Sequence, residues 1–385
     1  MTFLTNIGFY AYLGEQALPR QSGKSTLVKE LFKDYVYLDM QDEALNNFAN
    51  SDPKGFLNSY SSAIGVIFDE AQYAPKLFGQ IKVEVDKDPR PGRYILSGSQ
   101  NFLLHEKINE SLAGRVYFYK LLPLSIPELS RHNLLLERIE DQICKGFYPR
   151  VYQPHMKAQE YYENYVLTYV ERDIRTIKNI DNILTFKKFM QLCALRIGST
   201  LNFTDLATNC GISVATARSW LALLETSFIL FLLPSYHENL GKRITKSPKL
   251  YFYDVGLAAA LIGIDRDTLI KKRDLYDGLF ENMIIVDLMK QLYAAGKHHT
   301  MSFFRDTNNN EIDLIIEVGG QVIPVEIKAS ETMHTNFFDT GLWFQEQVKD
   351  AAAPVVVYGG TQAQKRSQGD VVSWKHLQHV YEKLR

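Results

Sequence analysis

The sequence predicts an α/β fold, with a parallel sheet in the first third of a 385-residue chain. Three observations carry that prediction. Short apolar runs alternate with helical stretches from residue 24 to about residue 125, the pattern of a sheet covered on both faces. Polar residues with phosphate- and metal-binding chemistry fall just after those runs, where parallel sheets hold their ligands. The chain is also too long for one ordinary core, so two or three domains are expected.

The elements follow in order. Phe9 to Ala17 is a poor strand, since it carries Gly14, Glu15 and Gln16. Leu27–Phe32 reads as helix and Tyr35–Asp39 as a short strand, followed by a polar helical stretch to about Tyr60. Ile64–Phe68 is an apolar strand, Leu77–Val85 is helical by spacing, and Arg93–Leu96 is a strand ending in Ser97-Gly98-Ser99. From about Glu128 to Gly198 the pattern is helical and rich in Tyr and Leu, with the charged segment Glu171–Arg175 inside it. A helix opening at Phe203, a turn at Asn209-Cys210-Gly211 and a second helix capped by Ser213 have the rhythm of a helix-turn-helix. Residues 228–233 and Lys242 to Tyr253 supply the hairpin of a winged helix. From about Gly278 a helix, two strands and further α/β elements form a third unit. The expected domains are residues 1–127, 128–260 and 261–385.

Composition narrows the function classes. Hydrophobic residues make up 46% and charged residues 23%, as in ordinary globular proteins. No apolar run reaches the roughly 18 residues of a membrane span, and the N-terminus lacks the order of a signal peptide. Cys144, Cys193 and Cys210 are far apart, so they read as apolar thiols rather than metal ligands. A cytoplasmic protein without membrane contact fits these features. The net charge of −1 excludes a wholesale nucleic-acid binder, so contact with DNA or RNA must come from local basic patches.

Gly23-Lys24-Ser25, directly before a helix, is the second half of a phosphate-binding P-loop. In that loop backbone N–H groups cradle phosphate oxygens, the lysine reaches the β/γ phosphates and the hydroxyl holds Mg²⁺. The first glycine of the pattern falls at Leu18, which departs from it. The cradle thus comprises Arg20, Gln21, Ser22, Gly23, Lys24, Ser25 and Thr26. Asp69 and Glu70 end an apolar strand about 45 residues after the lysine. They offer a Mg²⁺ partner shared with Ser25 and a base that orients the attacking water. Ser99 senses the γ-phosphate in this reading, and Arg115 is either an arginine finger or sensor, or a surface arginine on a strand edge. A finger acting in trans would require a homo-oligomer.

The segments Pro19–Ser25, Phe68–Gln72, Leu96–Ser99, Leu112–Val116, Tyr169–Ile174, Tyr251–Leu257, Gly278–Asn282 and Glu311–Asp313 resemble, in this order, prokaryotic AAA-type ATPases with an uncharacterised C-terminal domain. The resemblance covers nearly the whole chain from Pro19 onward. It implies an AAA+ core that binds ATP and Mg²⁺, a winged-helix-like middle and a nuclease-like C-terminal fold.

Glu311–Glu317 and Val322–Lys328 read as strands joined through Gly319-Gly320. Glu326 and Lys328 are two residues apart and share a face. Hairpin pairing would bring Asp313 near Glu326, and Glu281 on the preceding helix completes the set. Two or three carboxylates with a lysine are a means to bind Mg²⁺ and place a water for phosphodiester hydrolysis. The arrangement resembles the PD-(D/E)xK nuclease site, with Asp313, Glu326 and Lys328 on its motif positions. The plain alternative is a solvated cross-strand ion pair.

Arg218 on the second helix of the helix-turn-helix, with Lys242, Arg243, Lys246 and Lys249 beyond it, makes residues 205–250 the expected phosphate-contacting patch; the same module used for protein packing is the alternative. Two functions compete. One is an ATPase that couples nucleotide state to a nucleic-acid-acting C-terminal domain. The other is an ATP-dependent regulatory protein whose C-terminal fold is an inactive recognition module. A third reading is a P-loop degraded at Leu18 that binds nucleotide weakly or not at all.

Overall fold

The computed structural model describes residues 14–16, 23–98, 112–169, 182–237, 247–296, 299–308 and 310–383. They fall into two compact units. One holds the residues up to Pro123 with Thr226–Phe228, and the other holds Leu124–Glu225 and Ile229 onward. Leu18, Arg20, Gln21, Ser22, Glu171–Arg175, Ser99, Lys242, Arg243 and Lys246 lie outside the described residues.

In the first unit a parallel sheet has the order β2 (Val36–Asp39), β3 (Val66–Asp69), β4 (Tyr94–Leu96). All of β3 is buried, as a central parallel strand must be. The pleat sends Val66 and Phe68 into a cluster with Leu38, Phe56, Phe78 and Ile81. It sends Ile67 to the opposite face, with Val28 and Ile95. The helices α1 (Lys24–Leu31), α2 (Glu43–Ser51), α3 (Pro53–Asn58) and α4 (Pro75–Lys87) alternate with these strands. α2 and α3 are separate because Asp52 caps the second of them, accepting from the Gly55 N–H at 2.9 Å, and Pro53 opens it. A short strand β1 (Gly14–Gln16) pairs in parallel with β5 (Tyr117–Tyr119). Of the segment that composition made a poor strand, the described residues Gly14–Gln16 are strand, held by backbone pairing.

The second unit begins with helices and ends in a six-stranded sheet. Helix Phe203–Cys210 ends at Gly211, whose φ of 75° gives the left-handed cap that glycine adopts readily. Helix Val214–Thr226 follows, and Ser213 Oγ accepts the Thr216 N–H at 3.0 Å at its start. Trp220 packs edge-on against Phe186 and Phe189, so this helix is pinned to the core by its one indole. β6 (Leu230–Leu233) and β7 (Lys249–Phe252) pair antiparallel.

The large sheet has the order β12 (Gln364–Arg366), β13 (Gly369–Ser373), β11 (Val355–Tyr358), β10 (Gln321–Lys328), β9 (Glu311–Val318), β8 (His299–Arg305). β9 and β10 form the expected hairpin, turning on Gly319 and Gly320 with φ of 58° and 84°. Two consecutive positive φ angles are what a tight hairpin turn requires.

Buried polar groups lock the helical part of this unit. Asp254 accepts from the Phe147 and Leu257 N–H groups and from Tyr162 Oη at 2.7–2.9 Å. Asp287 accepts the Ile126 N–H at 2.6 Å and Gln291 Nε2 at 2.7 Å, while Lys290 donates to the Leu124 carbonyl at 2.8 Å. Among the described residues no helix is long and apolar enough to cross a membrane. Cys193 and Cys210 are buried, as their apolar setting in the sequence suggests, and Cys144 is half-buried.

Candidate functional sites

The first site forms where α1 and the ends of β2, β3 and β4 converge. Gly23 precedes α1 with φ 91°, a conformation that costs most residues energy and glycine little. The helix therefore starts abruptly, no side chain caps it, and its first N–H groups have no partner within the helix. Lys24 is buried at 7% exposure, Ser25 is half-buried and Thr26 is exposed. Asp69, at 3% exposure, is the centre of the cluster. Its Oδ2 accepts from Ser25 Oγ at 2.5 Å and from Tyr37 Oη. Its Oδ1 accepts from Ser97 Oγ and from the Glu70 N–H at 3.1 Å.

Burial alone would raise the Asp69 pKa. The hydroxyls of Ser25, Ser97 and Tyr37, with the Lys24 charge, outweigh it and hold the carboxyl below its ordinary value. Asp69 is thus an anion at neutral pH, with a hydroxyl from within β2 and another just after β4.

Glu70 has φ 52°, a left-handed conformation for a non-glycine residue. Such a backbone persists only where its surroundings enforce it, at about 1–3 kcal/mol. It turns the chain straight into a 3₁₀ turn, Ala71–Tyr73, and Glu70 Oε2 accepts from Gln72 Nε2 at 2.5 Å. The sequence thus located Lys24, Ser25, Asp69 and Glu70 together, but missed Tyr37 and the role of Ser97. Tyr37 lies in a strand that reads only as β-forming; its alignment beside Ile67 in the parallel ladder is what brings its hydroxyl to Asp69. Arg115 is placed elsewhere, in a bidentate pair with Asp86 of α4 (Nε–Oδ1 2.5 Å, Nη2–Oδ2 3.1 Å).

The second site lies in the second unit. The β9–β10 ladder is regular as far as Leu314 opposite Val325. Beyond it the Asp313 carboxylate takes up the Ile327 N–H at 2.8 Å, so a side chain replaces a strand partner at the mouth of the hairpin. Lys328 Nζ bridges Glu326 Oε1 at 2.5 Å and Asp313 Oδ2 at 3.8 Å.

Glu281, from the middle of helix Arg273–Ala294, turns its Oε1 to Tyr251 Oη at 2.5 Å and Lys249 Nζ at 3.2 Å. Lys249 also reaches Glu311 Oε1 at 2.6 Å. Burial, and then repulsion from Asp313, lifts the carboxyls of both Glu281 and Glu326 above the ordinary range, although the lysines pull the other way.

The expected residues Glu281, Asp313, Glu326 and Lys328 therefore share one electrostatic cluster. The carboxylates stand in lysine-bridged pairs, and among the described residues no three acidic, His or Cys side chains are already closed on a single point. One oxygen of Glu326, Oε2, is buried without a hydrogen-bond partner. A cation would satisfy that atom, so the donor set fits a hard divalent ion.

Lys249 corrects an expectation. In the sequence it extends a basic patch for phosphate, but at 3% exposure and paired with two glutamates it is an internal cation. Arg218 stacks 4.1 Å over the Phe203 ring.

Comparison with known proteins finds matches along three segments of the chain. Residues 19–130 match a family described as an AAA domain. Residues 136–268 and 276–377 match two domains of unknown function (DUF8612 and DUF4143). An uncharacterised protein of Mycobacterium tuberculosis is 27% identical over 315 residues, covering 82% of this chain and 69% of that protein. An uncharacterised protein of Haemophilus influenzae is 22% identical over 396 aligned positions, with 92% of each chain covered. Among solved structures, the Aeropyrum pernix ORC1 protein in complex with DNA matches at TM-score 0.28 and 12% identity, over 65% of this chain and 85% of its own. Cdc6p from Pyrobaculum aerophilum matches at TM-score 0.24 and 13% identity, over 66% and 87%.

Proposed function

We propose that the chain is an ATP-binding AAA-type protein that hydrolyses ATP with Mg²⁺ and couples its nucleotide state to a C-terminal domain acting on nucleic acid. The observation that carries this reading is the 2.5 Å hydrogen bond from Ser25 to Asp69 at the start of α1. Those are the two side chains that, in a P-loop enzyme, share the metal. Bound MgATP supplies the reactive γ-phosphoryl group and the cation that neutralises its charge.

The chain's own groups do the rest. The N–H groups at the start of α1 and the Lys24 ammonium hold phosphate oxygens, with Arg20, Gln21, Ser22, Gly23 and Thr26 as the remaining cradle. Ser25 and Asp69 hold the cation, and Ser97 and Tyr37 fix the Asp69 carboxylate for it. Glu70 accepts a proton from, or orients, the attacking water, and Ser99 senses the γ-phosphate. Arg115, exchanging Asp86 for a nucleotide in a neighbouring copy, is the finger of a homo-oligomer. In the C-terminal domain Glu281, Asp313 and Glu326 hold a second Mg²⁺ site beside Lys328, and residues 205–250 guide nucleic acid to it. The domains in this reading are 1–127, 128–260 and 261–385.

The lysine-bridged pairing of the C-terminal carboxylates favours a second reading, an ATP-dependent regulatory protein with an inactive nuclease-like module. For the first reading the test is ATP titration of wild type against Lys24→Ala. Measurable affinity in the wild type and at least tenfold weaker binding in the variant are expected; equal affinities would remove the assigned site.

A further inference from the structure

We infer that Lys249 is the resident second cation of the C-terminal carboxylate centre: its ammonium holds, between Glu281 and Glu311, the place a second divalent ion would take. The inference rests on the proposed divalent site at Glu281, Asp313 and Glu326. Hydrolytic centres that use two metals set them about 3.5–4 Å apart on shared carboxylates. Here the cluster has two cation positions, and the chain treats them differently.

The Lys249 position is sealed. Its side chain is 3% exposed, lies 2.6 Å from Glu311 Oε1 and 3.2 Å from Glu281 Oε1, and sits 5.3 Å from the Phe303 ring centroid. Tyr251, two residues on in β7 and on the same face, donates to the same Glu281 oxygen and fixes it toward the lysine. A buried ammonium is tolerated only when paired this way, and removing it would leave Glu281 with Tyr251 and the half-exposed Glu311 with Arg305 as their remaining partners.

The Lys328 position is open by comparison. That side chain is 34% exposed, reaches Asp313 only at 3.8 Å, and leaves Glu326 Oε2 buried without a partner. A divalent ion would satisfy Glu326 there, whereas at Lys249 it would have to displace a cation that is already fully paired. The centre therefore takes a single divalent ion. The second positive charge comes from β7, the strand paired with β6.

Calorimetric titration of the full chain with Mn²⁺, without nucleotide, tests this, together with thermal unfolding in EDTA and in saturating Mn²⁺. Wild type is expected to bind one Mn²⁺ that Asp313→Ala abolishes. Lys249→Met is expected to be less stable in EDTA, to gain a second Mn²⁺ that Glu311→Gln removes, and to show a larger Mn²⁺-induced rise in Tm than wild type. Lys249→Arg keeps the charge and should stay at one. Two ions in wild type, or one ion with a wild-type Tm shift in Lys249→Met, would overturn the inference and leave the divalent site standing. So would a Lys249→Met chain that remains unfolded in saturating Mn²⁺. A wild type that binds no Mn²⁺ through Asp313 would overturn both.

Discussion

Tyr37→Phe isolates one bond at the proposed nucleotide site. The substitution deletes a single oxygen and keeps the ring, which also carries Lys29 Nζ at 3.7 Å from its centroid. The lost interaction is the phenol donating to Asp69 Oδ2. Burial first, and then the Asp69 carboxylate, raise the Tyr37 pKa far above neutral, so the phenol is a donor across the working pH range. A hydrogen bond to a charged acceptor contributes roughly 1.5–3 kcal/mol, but water can reach the half-buried Tyr37, so the expected loss of stability is about 1 kcal/mol.

The larger consequence is for the cation. Asp69 keeps Ser25, Ser97 and the Glu70 N–H, yet loses the donor that shares Oδ2 with Ser25. Outer partners of metal ligands are typically worth about 10–100-fold in metal affinity, and the lower end suits a carboxylate with three donors left. ATP titrations with and without Mg²⁺ separate the two effects. Metal-free affinity should be unchanged, and the Mg²⁺ enhancement should fall by about tenfold. An unchanged or stronger Mg²⁺ enhancement in Tyr37→Phe would refute the argument, because Asp69 would then be organised for the cation without this hydroxyl.

Two further outcomes follow from the second unit. With Mg²⁺ or Mn²⁺, wild type is expected to cleave single- or double-stranded DNA or RNA, and Asp313→Ala to lose the activity; no cleavage on any of these substrates selects the regulatory reading. Burial lifts the Asp287 carboxyl to about 6, against the pull of Lys290, the Ile126 N–H and Gln291. Since its folded pKa lies above its unfolded value near 3.9, the native state binds the proton more tightly, and stability falls as pH rises from about 4 through 6, by up to about 3 kcal/mol. Denaturant unfolding of Asp287→Asn should therefore gain on wild type over that interval, and parallel pH profiles would exclude the linkage.

Much of the Ser25–Asp69 cluster proposed as the nucleotide site was legible in the chain. Gly23, Lys24 and Ser25 are contiguous, and a helix start with a glycine before it is a local event. Asp69 and Glu70 end an apolar run, and a parallel strand puts its last residues at the ligand edge wherever it sits in the sheet. The β9–β10 hairpin was equally local, since Gly319-Gly320 fixes the turn and alternation fixes the face of Glu326 and Lys328. Tyr37, Ser97 and Lys249 were not legible in this way. The first two act through strand alignment in a parallel ladder, which joins residues about 30 positions apart and has no period in the sequence. Lys249 looks in sequence like one more member of a basic run. Its role was decided only when β7 packed against helix Arg273–Ala294, where a buried ammonium must find carboxylates and Glu281 and Glu311 supply them. The sequence by itself determined which chemical groups begin and end each element. The tertiary structure decided which of those groups are desolvated together, and desolvation is what turns a charge into a partner.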